Sequence, residues 1–351
     1  MAERGQHTFG EIMSQPEVWG ETLRGAGEAR ADVKGLLQAV DPTDVFFIGC
    51  GSTHYLSQAA ATLFQAMTGR RARGLPASEL WFHPRSIIPE GSRPLLVAVS
   101  RSGTTTETRE AIEAFREAYG DAIVVITCYP ESPMAAQGRC VLGAPAAREE
   151  SVAQTRSFSS MYLLSQLMAG DAAGDDGFLR EVEQLPAAVR RLLDEHATLA
   201  ESLGRDLSIE RIFFLGTGAC YGLACEAMLK MKEMSLTYAE AFHFMEFRHG
   251  PKSMVDDRTL VIGLVSDRTR AQELAVLREM KELGARVLAL TETAIDEDEG
   301  LDHVIAFESR SSDLARGPLY LPVLQLMAYH RAMEKGLNPD RPQNLEAVVY
   351  L

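Results

Sequence analysis

Short apolar runs, several of them ending at glycine or a small polar residue, alternate along this chain with longer segments in which polar and apolar residues mix. Apolar runs of about five residues are typical of strands buried on both faces of a parallel sheet. In the first half the pattern predicts strands near 45–49, 71–75, 95–99, 122–127 and 140–143. In the second half it predicts strands near 211–215, 259–265, 286–290 and 303–307. The alternation of strands with helices predicts parallel sheets covered on both faces.

The pattern of the first half returns about 167 residues later. Residues 46–56, FFIGCGSTHYL, are matched by residues 213–223, FFLGTGACYGL, and each stretch predicts a buried strand, a Gly-x-Gly turn and a helix. Two further strands, at 95–100 and 122–127, have counterparts in the same order in the second half. The sequence therefore predicts a duplicated α/β unit.

The predicted organisation has four regions: a helical segment, a first domain, a second domain and a tail, at 1–40, 41–175, 176–335 and 336–351. One or two helices are expected in the first region, with Pro16 near a start. A stretch rich in Gly and Asp at 169–177 marks the domain boundary, and a helix near 178–201 follows it. The second domain ends in a helix from about Pro318 to Lys335. We expect the irregular tail to fold back over a site.

Composition limits the classes of function. A chain of 351 residues that is 46% hydrophobic can bury two cores of ordinary size. A net charge of -14 argues against nucleic acid as a partner, because such binding depends on clustered Lys and Arg. No apolar run reaches the roughly 18 residues that a membrane span needs, and the N-terminus lacks a signal core. We expect a soluble, cytoplasmic protein that binds no membrane.

Cysteine spacing and glycine spacing exclude two further kinds of site. The five cysteines are odd in number and show no C-x-x-C spacing, so we expect reduced thiols and neither disulfides nor a zinc site. The first glycine turn invites a dinucleotide interpretation, with Glu79 at a plausible distance for a ribose hydroxyl. Both glycine turns lack the third glycine of G-x-G-x-x-G, however, and no G-x-x-x-x-G-K-[ST] occurs. The sequence disfavours nucleotide binding.

Hydroxyl-rich turns follow two predicted strands of the first half. Ser52 and Thr53 come after the first strand, and residues 100–107, SRSGTTTE, come after the third. Open α/β sheets bind ligands at the carboxyl ends of their strands, and hydroxyls with helix N-termini suit a phosphate monoester. The alternative is that these residues are only helix caps. Because residues 265–268, VSDR, lack the pattern in the second half, we predict a phosphate site in the first half.

Three charged residues of the second half share one helix face. Glu226, Lys230 and Glu233 occur at i, i+4 and i+7. Moving a proton on a carbon next to a carbonyl or imine needs a carboxylate close to that carbon, but the spacing equally describes a solvated charged stripe. His249 follows at a predicted turn at the mouth of a site, and the alternative is a histidine with a purely structural role. The series His243, Glu246, His249 is excluded as a metal site, because a six-residue gap puts the two histidines on different helix faces.

These motifs together resemble one family. Residues 49–53, GCGST, and 100–105, SRSGTT, resemble the two phosphate-binding turns of the sugar isomerase (SIS) domain. Residues 225–235, CEAMLKMKEMS, 239–241, AEA, and 246–251, EFRHGP, resemble the isomerase half of glucosamine-6-phosphate synthase and its deaminase and fructosamine-deglycase relatives. The resemblance covers about residues 40–351. It implies two tandem SIS domains, each a doubly wound five-stranded parallel sheet flanked by helices, of the flavodoxin-like α/β type.

The resemblance also implies roles for individual residues. It implies that a sugar 6-phosphate is bound by Gly51, Ser52, Thr53, Ser100, Arg101, Ser102 and Thr105, with Val152 lining the site. Glu233 would move a proton between C1 and C2, and Lys230 belongs to the same catalytic group. His249 would assist ring opening or protonate the departing group. Because this histidine often enters from the neighbouring subunit in the family, a homodimer with shared active sites is implied. No metal or cofactor is expected.

Two departures from the synthase pattern narrow the expected activity. The synthase begins with a glutaminase domain, whereas this chain has about 40 residues before the first predicted strand, so we expect no glutamine hydrolysis by that route. The synthase tail carries Asn-Leu-x-Lys, whose lysine forms an imine with the ketose. Here the tail reads Asn344, Leu345, Glu346, Ala347. A substrate that already carries an amine does not require that lysine.

The leading hypothesis is therefore a deglycase or deaminase that cleaves the C–N bond of an amine-bearing hexose 6-phosphate. One alternative is a phosphosugar isomerase, or an ammonia-dependent aminating isomerase, in which Glu346 or Lys230 replaces the missing lysine. Another is a non-catalytic regulator that binds a sugar phosphate. A transcriptional sensor would normally carry a basic helix-turn-helix, and neither residues 1–40 nor the net charge indicates one.

Overall fold

The computed structural model describes residues 3–295 and 300–346, and within them the chain forms two five-stranded parallel sheets. Sheet 1 has the order β2-β1-β3-β4-β5, and sheet 2 has the order β10-β9-β8-β6-β7. In each sheet the chain starts next to one edge, adds the edge strand, and then winds in the opposite direction across the sheet. The predicted fold class, two doubly wound five-stranded parallel sheets with flanking helices, is confirmed.

The strands of sheet 1 are β1 Asp44–Gly49, β2 Arg71–Pro76, β3 Pro94–Val99, β4 Ile123–Thr127 and β5 Cys140–Gly143. Those of sheet 2 are β6 Arg211–Gly216, β7 Tyr238–His243, β8 Thr259–Leu264, β9 Arg286–Thr291 and β10 His303–Ala306. All five strands of sheet 1 and four strands of sheet 2 lie close to the limits that the sequence predicted.

The strand list predicted for the second half was wrong in one respect, because it omitted β7. This edge strand has the sequence YAEAFH, in which only Ala239 is fully buried, so it contains no apolar run. The repeat itself would have revealed it. Strand β6 begins at Arg211, 167 residues after β1 begins at Asp44, and the same offset from Arg71, the first residue of β2, gives Tyr238, the first residue of β7.

The helices before and within the first half are α1 Gln6–Met13, α2 Gln15–Gly25, α3 Gly27–Val40, α4 Ser52–Thr68, α5 Ala77–Phe82, α6 Pro84–Ile87, α7 Thr106–Tyr119 and α8 Arg156–Ala173. They are followed by α9 Asp176–Arg205, α10 Ala219–Ser235, α11 Phe244–Phe247, α12 Arg270–Glu282 and α13 Pro322–Glu334. The N-terminal segment thus contains three helices where one or two were expected. Among the described residues, no helix is long and apolar enough to cross a membrane.

The chain divides into two compact units. The sheet-1 unit contains residues 16–149, 156–184 and 346, and the sheet-2 unit contains residues 3–15, 150–155, 185–295 and 300–345. The six residues 150–155 therefore belong to the sheet-2 unit although sheet-1 segments flank them in sequence. The domain limits predicted at 175 and 335 remain predictions.

Each sheet has its own apolar core, and the most apolar strands lie at its centre. Every residue of β1, β3 and β8 is buried. In the sheet-1 unit, strand residues such as Phe46 and Ile48 pack with Leu80 and Phe115 from the helices. A strand covered on both faces buries all of its side chains, which is why these runs were readable from the sequence.

Matching glycine turns join the first strand of each sheet to its helix. A Cβ on Gly49 would lie 2.5 Å from the backbone of Thr53, and one on Gly216 would lie 2.4 Å from the carbonyl oxygen of Cys220. The second glycines cap α4 and α10 with φ angles of 56° at Gly51 and 60° at Gly218. Positive φ and the close approach both require glycine, so each helix begins immediately after its strand.

Candidate active site

The two predicted phosphate-binding turns are neighbours at the carboxyl ends of the strands of sheet 1. Strand β1 pairs in parallel with β3, with Ile48 opposite Ala98, so the turns that follow them emerge side by side. This is also where the strand order reverses, the position at which open α/β sheets bind ligands. The structure therefore brings together the two hydroxyl-rich turns that the sequence singled out.

In the turn after β1, the hydroxyl of Thr53 hydrogen-bonds the backbone of the turn itself. Ser52 and Thr53 occupy the first turn of α4 and are both buried. The Cys50 N–H donates to Thr53 Oγ1 at 2.9 Å, and the Thr53 hydroxyl is in turn within 2.9 Å of the Cys50 carbonyl oxygen. Thr53 thus fixes the shape of the turn, in addition to the ligand role predicted for it.

The turn after β3 is held by its own hydroxyls. Ser100 Oγ accepts a hydrogen bond from the Gly103 N–H at 3.1 Å and lies 3.3 Å from Thr105 Oγ1. Ser102 Oγ accepts hydrogen bonds from the N–H of Thr104 at 3.2 Å and from its hydroxyl at 3.0 Å. Thr105 is the N-cap residue of α7, so the turn points a helix N-terminus toward this edge of the sheet.

Arg101 is buried in this turn and paired with a carboxylate. Its guanidinium lies 3.3 Å from Glu149, whose side chain is fully buried, and Glu149 also accepts a hydrogen bond from the Ser157 N–H at 3.2 Å. The Arg101 carbonyl accepts a hydrogen bond from the Cys128 N–H at 3.2 Å. Glu149 was not among the site residues predicted from the sequence. The available signal was Arg101 itself, since a buried arginine needs a carboxylate.

The charged face of α10 is buried, so its interpretation as a solvated stripe was wrong. The side chain of Glu226 is 0% exposed, that of Lys230 is 1% exposed and that of Glu233 is 19% exposed. The Lys230 ammonium lies 3.4 Å from Glu226 and is hydrogen-bonded to Glu233. The two carboxylates share one ammonium, and Glu233 is the member of the three that reaches solvent. This arrangement leaves one carboxylate, that of Glu233, both held by an ion pair and accessible to solvent.

The end of α10 is anchored at Leu236 and Thr237, three and four residues beyond Glu233. Leu236 has a φ angle of 49° at the helix C-terminus, where its carbonyl accepts a hydrogen bond from Lys335 Nζ at 3.1 Å. Arg331 Nε donates to Thr237 Oγ1 at 2.8 Å. Burial lowers the pKa of both Lys335 and Arg331, while cations at a helix C-terminus are favoured by the helix dipole. These contacts fix the helix on which Glu233 is placed.

His249 lies just after α11 with an exposed side chain. Its backbone N–H donates to the Glu246 carbonyl at 3.0 Å, and among the described residues no hydrogen bond joins it to Glu233. The His243 ring stacks on Tyr221 with centroids 3.8 Å apart, and burial lowers the pKa of His243. Within residues 3–295 and 300–346 no cluster of three His, Cys, Asp or Glu side chains could hold a metal ion.

Val152 and the tail are the remaining parts of the predicted site. The Val152 N–H donates to the Asp340 carbonyl at 3.1 Å, which joins the loop at 150–155 to the chain after α13. Glu346 is exposed. Ala347, which stands where the family pattern has a lysine, lies outside the described residues. The roles predicted for Val152 and His249 remain predictions.

Comparison with known proteins supplies the context for this geometry. The SIS domain family matches residues 40–170 and 207–335. Among curated proteins, the chain is 27% identical over 362 positions to glutamine–fructose-6-phosphate aminotransferase [isomerizing] of Methanothermobacter thermautotrophicus. The match covers 99% of this chain and 58% of that protein, so the chain spans less than two thirds of the length of this relative.

Two solved structures are similar along nearly their whole length. Tagatose-6-phosphate ketose/aldose isomerase from Escherichia coli superposes with a TM-score of 0.87 at 25% identity, covering 97% of this chain and 96% of that one. Glucosamine-6-phosphate deaminase from Thermotoga maritima superposes with a TM-score of 0.77 at 27% identity, covering 98% of this chain and 100% of that one.

Proposed function

Because this chain belongs to the SIS domain family, as its motifs predicted, we propose that it is a phosphosugar isomerase-type enzyme that cleaves the C–N bond of an amine-bearing hexose 6-phosphate. Glucosamine 6-phosphate and fructosamine 6-phosphates, in which an amino acid is linked to the sugar, are the two candidate substrate classes.

The turns of the sheet-1 unit bind the phosphate. Gly51, Ser52, Ser100, Ser102 and Thr105 supply hydroxyls, backbone N–H groups and the N-termini of α4 and α7 at one sheet edge. A phosphate monoester is recognised by several convergent donors, and helix N-termini favour its negative charge. Arg101 supports this turn through its pairing with Glu149. The overall charge of -14 does not oppose a small anion bound by such local donors.

Glu233 moves the proton. In an open-chain amino sugar the carbons C1 and C2 carry the carbonyl and the amine, so shifting a proton between them turns the C–N bond into an imine. Water then adds to the imine carbon and a proton from the water passes to the nitrogen. The C–N bond breaks, which leaves a carbonyl on the sugar and releases the amine. From glucosamine 6-phosphate and water this gives a ketose phosphate and ammonia; from a fructosamine 6-phosphate and water it gives an aldose phosphate and the free amine. Lys230 orients the Glu233 carboxylate through a charge-assisted hydrogen bond.

The observation that carries C–N cleavage is the tail sequence Asn344, Leu345, Glu346, Ala347, which lacks the family's imine-forming lysine. A substrate that brings its own amine needs no imine with the enzyme. Lys230 is a poor replacement, because it is buried and shared between Glu226 and Glu233. This disfavours the alternative of an isomerase or an ammonia-dependent aminating enzyme. A structural relative named as a glucosamine-6-phosphate deaminase, at 27% identity, also supports the proposal.

A panel of substrates tests this proposal. The protein is incubated with glucosamine 6-phosphate, with fructosamine 6-phosphates and with fructose 6-phosphate, and released ammonia, free amino acid and hexose phosphates are measured. Ammonia from the first or amino acid from the second supports a deaminase or a deglycase, respectively. Interconversion of fructose 6-phosphate with an aldose phosphate, without C–N cleavage, would replace the proposal by a plain isomerase. Binding of all three without turnover would replace it by a sugar-phosphate-binding regulator.

We further propose a homodimer in which His249 serves the partner's active site. Mixing two inactive variants tests this directly. When subunits of Glu233→Gln and His249→Asn exchange, each mixed dimer contains one site with both wild-type residues, so activity returns. If His249 serves its own subunit, every site in the mixture lacks one of the two residues, and the mixture stays inactive.

A further inference from the structure

Helix α1 carries a buried carboxylate that the proposed chemistry does not use. Glu11 Oε1 accepts hydrogen bonds from the Glu150 N–H at 2.6 Å and from the Ser151 N–H at 3.3 Å. The other carboxylate oxygen of Glu11 accepts a hydrogen bond from the Ser151 hydroxyl. Ser151 is buried as well. A buried carboxylate is tolerated when several donors compensate it, and these three donor groups lie in one short loop.

A second carboxylate binds the other end of the same helix. Asp340 accepts hydrogen bonds from the Thr8 N–H at 2.8 Å, from the Thr8 hydroxyl at 2.8 Å and from the His7 N–H at 3.4 Å. These donors lie in the first turn of α1, where a carboxylate compensates both the unpaired N–H groups and the helix dipole. The backbone carbonyl of Asp340 accepts a hydrogen bond from the Val152 N–H at 3.1 Å.

The contacts form a closed ring within the sheet-2 unit. From Glu11 the ring passes to Ser151 and Val152, then to Asp340, and returns to α1 at Thr8. The backbone N–H groups of Ser151 and Val152 therefore both donate to acceptors outside the loop. The six-residue loop at 150–155 takes its position from α1 and the chain after α13, which explains why it belongs to the sheet-2 unit.

We propose that Glu11 is a positioning residue for substrate binding, acting through the backbone of Val152. This rests on the proposed function, in which Val152 lines the site that holds the sugar. Glu11 touches no reacting atom; it sets the height and direction of the Val152 backbone against the hexose. Helix α1 therefore contributes to substrate binding, and the affinity for a ligand of the hexose 6-phosphate class depends on the position of this helix.

The test compares Glu11→Gln with Asp206→Asn, a carboxylate variant in the same unit. Glutamine keeps the size of the side chain, but its amide NH₂ faces donors of the loop, so the loop must shift. We expect the Kd for fructose 6-phosphate to rise about tenfold, as loss of a hydrogen bond to a charged group implies. The affinity for inorganic phosphate stays unchanged, because the proposed phosphate turns lie in the other unit. Asp206→Asn, whose carboxylate bonds Ser208 and Arg286, changes neither affinity.

Hydrogen exchange supplies a readout that does not depend on turnover. In the wild-type protein the N–H groups of Ser151 and Val152 are protected, and Glu11→Gln should speed their exchange while α13 stays protected. Equal loss of affinity for fructose 6-phosphate and for inorganic phosphate would show a merely structural role and overturn the inference. So would an unchanged Kd for fructose 6-phosphate. Failure of C–N cleavage in the wild type leaves these binding results intact, so the two proposals fail separately.

Discussion

Helices α4 and α10 have the same geometry in the two copies of the fold but carry different side chains. Each contains 17 residues and follows a Gly-x-Gly turn whose second glycine has a positive φ. At the eighth, twelfth and fifteenth positions, α4 has Ala59, Leu63 and Ala66, whereas α10 has Glu226, Lys230 and Glu233. Ala59 and Leu63 show that the helix can be filled with apolar side chains at positions where α10 buries charges. Because burying charges is costly, packing alone does not account for these residues, and the proposed function gives them a role in proton transfer.

The turns differ in the opposite sense. Ser52 and Thr53 after β1 correspond to Ala219 and Cys220 after β6, so the second copy lacks these hydroxyls. In the turn after β8 the chain's own carboxylates take the donors. The Asp267 and Arg268 N–H groups donate to Asp313 at 2.9 and 3.3 Å.

The same turn contains two further compensating contacts. The Ser266 N–H donates to Glu273 at 2.7 Å, and the fully buried Arg316 pairs with Asp313. The donors of this turn, which could otherwise bind an anion, thus pair with carboxylates of the chain itself. The comparison teaches that duplication supplied two similar frameworks with different side chains. In the proposed function, the first copy binds the phosphate and the second transfers the proton.

The largest effect expected from this division is on turnover. Glu233→Gln should lower kcat about a thousandfold, since a positioned general base contributes on that order, and binding of the sugar phosphate should stay near the wild-type value. Glu282→Gln, an exposed carboxylate on α12, is the control and should leave kcat unchanged. Steady-state kinetics and calorimetric binding separate the two quantities. A Glu233→Gln variant within tenfold of wild-type kcat would contradict the assignment.

The next effect is on stability. Lys230→Met leaves the buried Glu226 without its ammonium, and we expect the free energy of unfolding to fall by about 3–5 kcal/mol. Lys232→Met, two residues along, removes an ammonium that is 39% exposed and pairs with Glu240, so it should cost less than about 1 kcal/mol. Urea denaturation measures both. Equal losses in the two variants would mean that the charged face of α10 is no more buried in solution than the helix surface.

A smaller stability effect distinguishes the two turns. Asp313→Ala leaves the N–H groups of Asp267 and Arg268 and the buried Arg316 with fewer partners, and we expect a loss of about 2 kcal/mol. Added inorganic sulfate should restore part of this loss, because the vacated turn offers N–H donors and a guanidinium to an anion. Asp257→Ala, at an exposed position of the same unit, should show neither effect. Sulfate stabilising the wild type and Asp313→Ala equally would argue against an internally filled turn.

The smallest effect is a pH dependence at Glu273. Burial raises the pKa of this carboxyl, partly offset by hydrogen bonds from Ser266 and Thr269. A folded-state pKa above the unfolded value means that the group stabilises the fold below the unfolded pKa and that this contribution is lost as pH rises through the folded pKa. The stability of the wild type relative to Glu273→Gln should therefore decline as pH rises above about 4.5. Glu273 lies four residues after the N-cap of α12. The residue at the same position of α7 is Arg109, which is exposed and is not a carboxylate.

In a matched thermal series, Arg109→Gln should show no corresponding trend with pH. A wild-type advantage over Glu273→Gln that grows with pH would mean that the carboxyl is stabilised in its ionised form in the fold. That result would mean that the fold lowers the pKa of Glu273 instead of raising it. The buried carboxylate in the turn after β8 would then stabilise the fold at neutral pH.

Much of the fold was readable because buried parallel strands leave a continuous apolar signal. Strand β7 was not, since an edge strand with one fully buried residue carries no such run. Spacing placed Glu226, Lys230 and Glu233 on one face but could not decide their burial, because that depends on what packs against the helix. The partners Glu149 and Glu11 are also invisible to local patterns, as each binds residues that only the folded chain brings near.

The measurement that tests the division of work most directly is calorimetric titration of Glu233→Gln with glucosamine 6-phosphate, with Ser100→Ala or Ser266→Ala added in the same background. Ser100 follows β3 and Ser266 follows β8. The hydroxyl oxygen of each serine accepts a backbone hydrogen bond within its own turn. We predict one bound equivalent per chain, an affinity at least about tenfold weaker with Ser100→Ala, and no change with Ser266→Ala. Two bound equivalents, or weakening by Ser266→Ala and not by Ser100→Ala, would contradict the account.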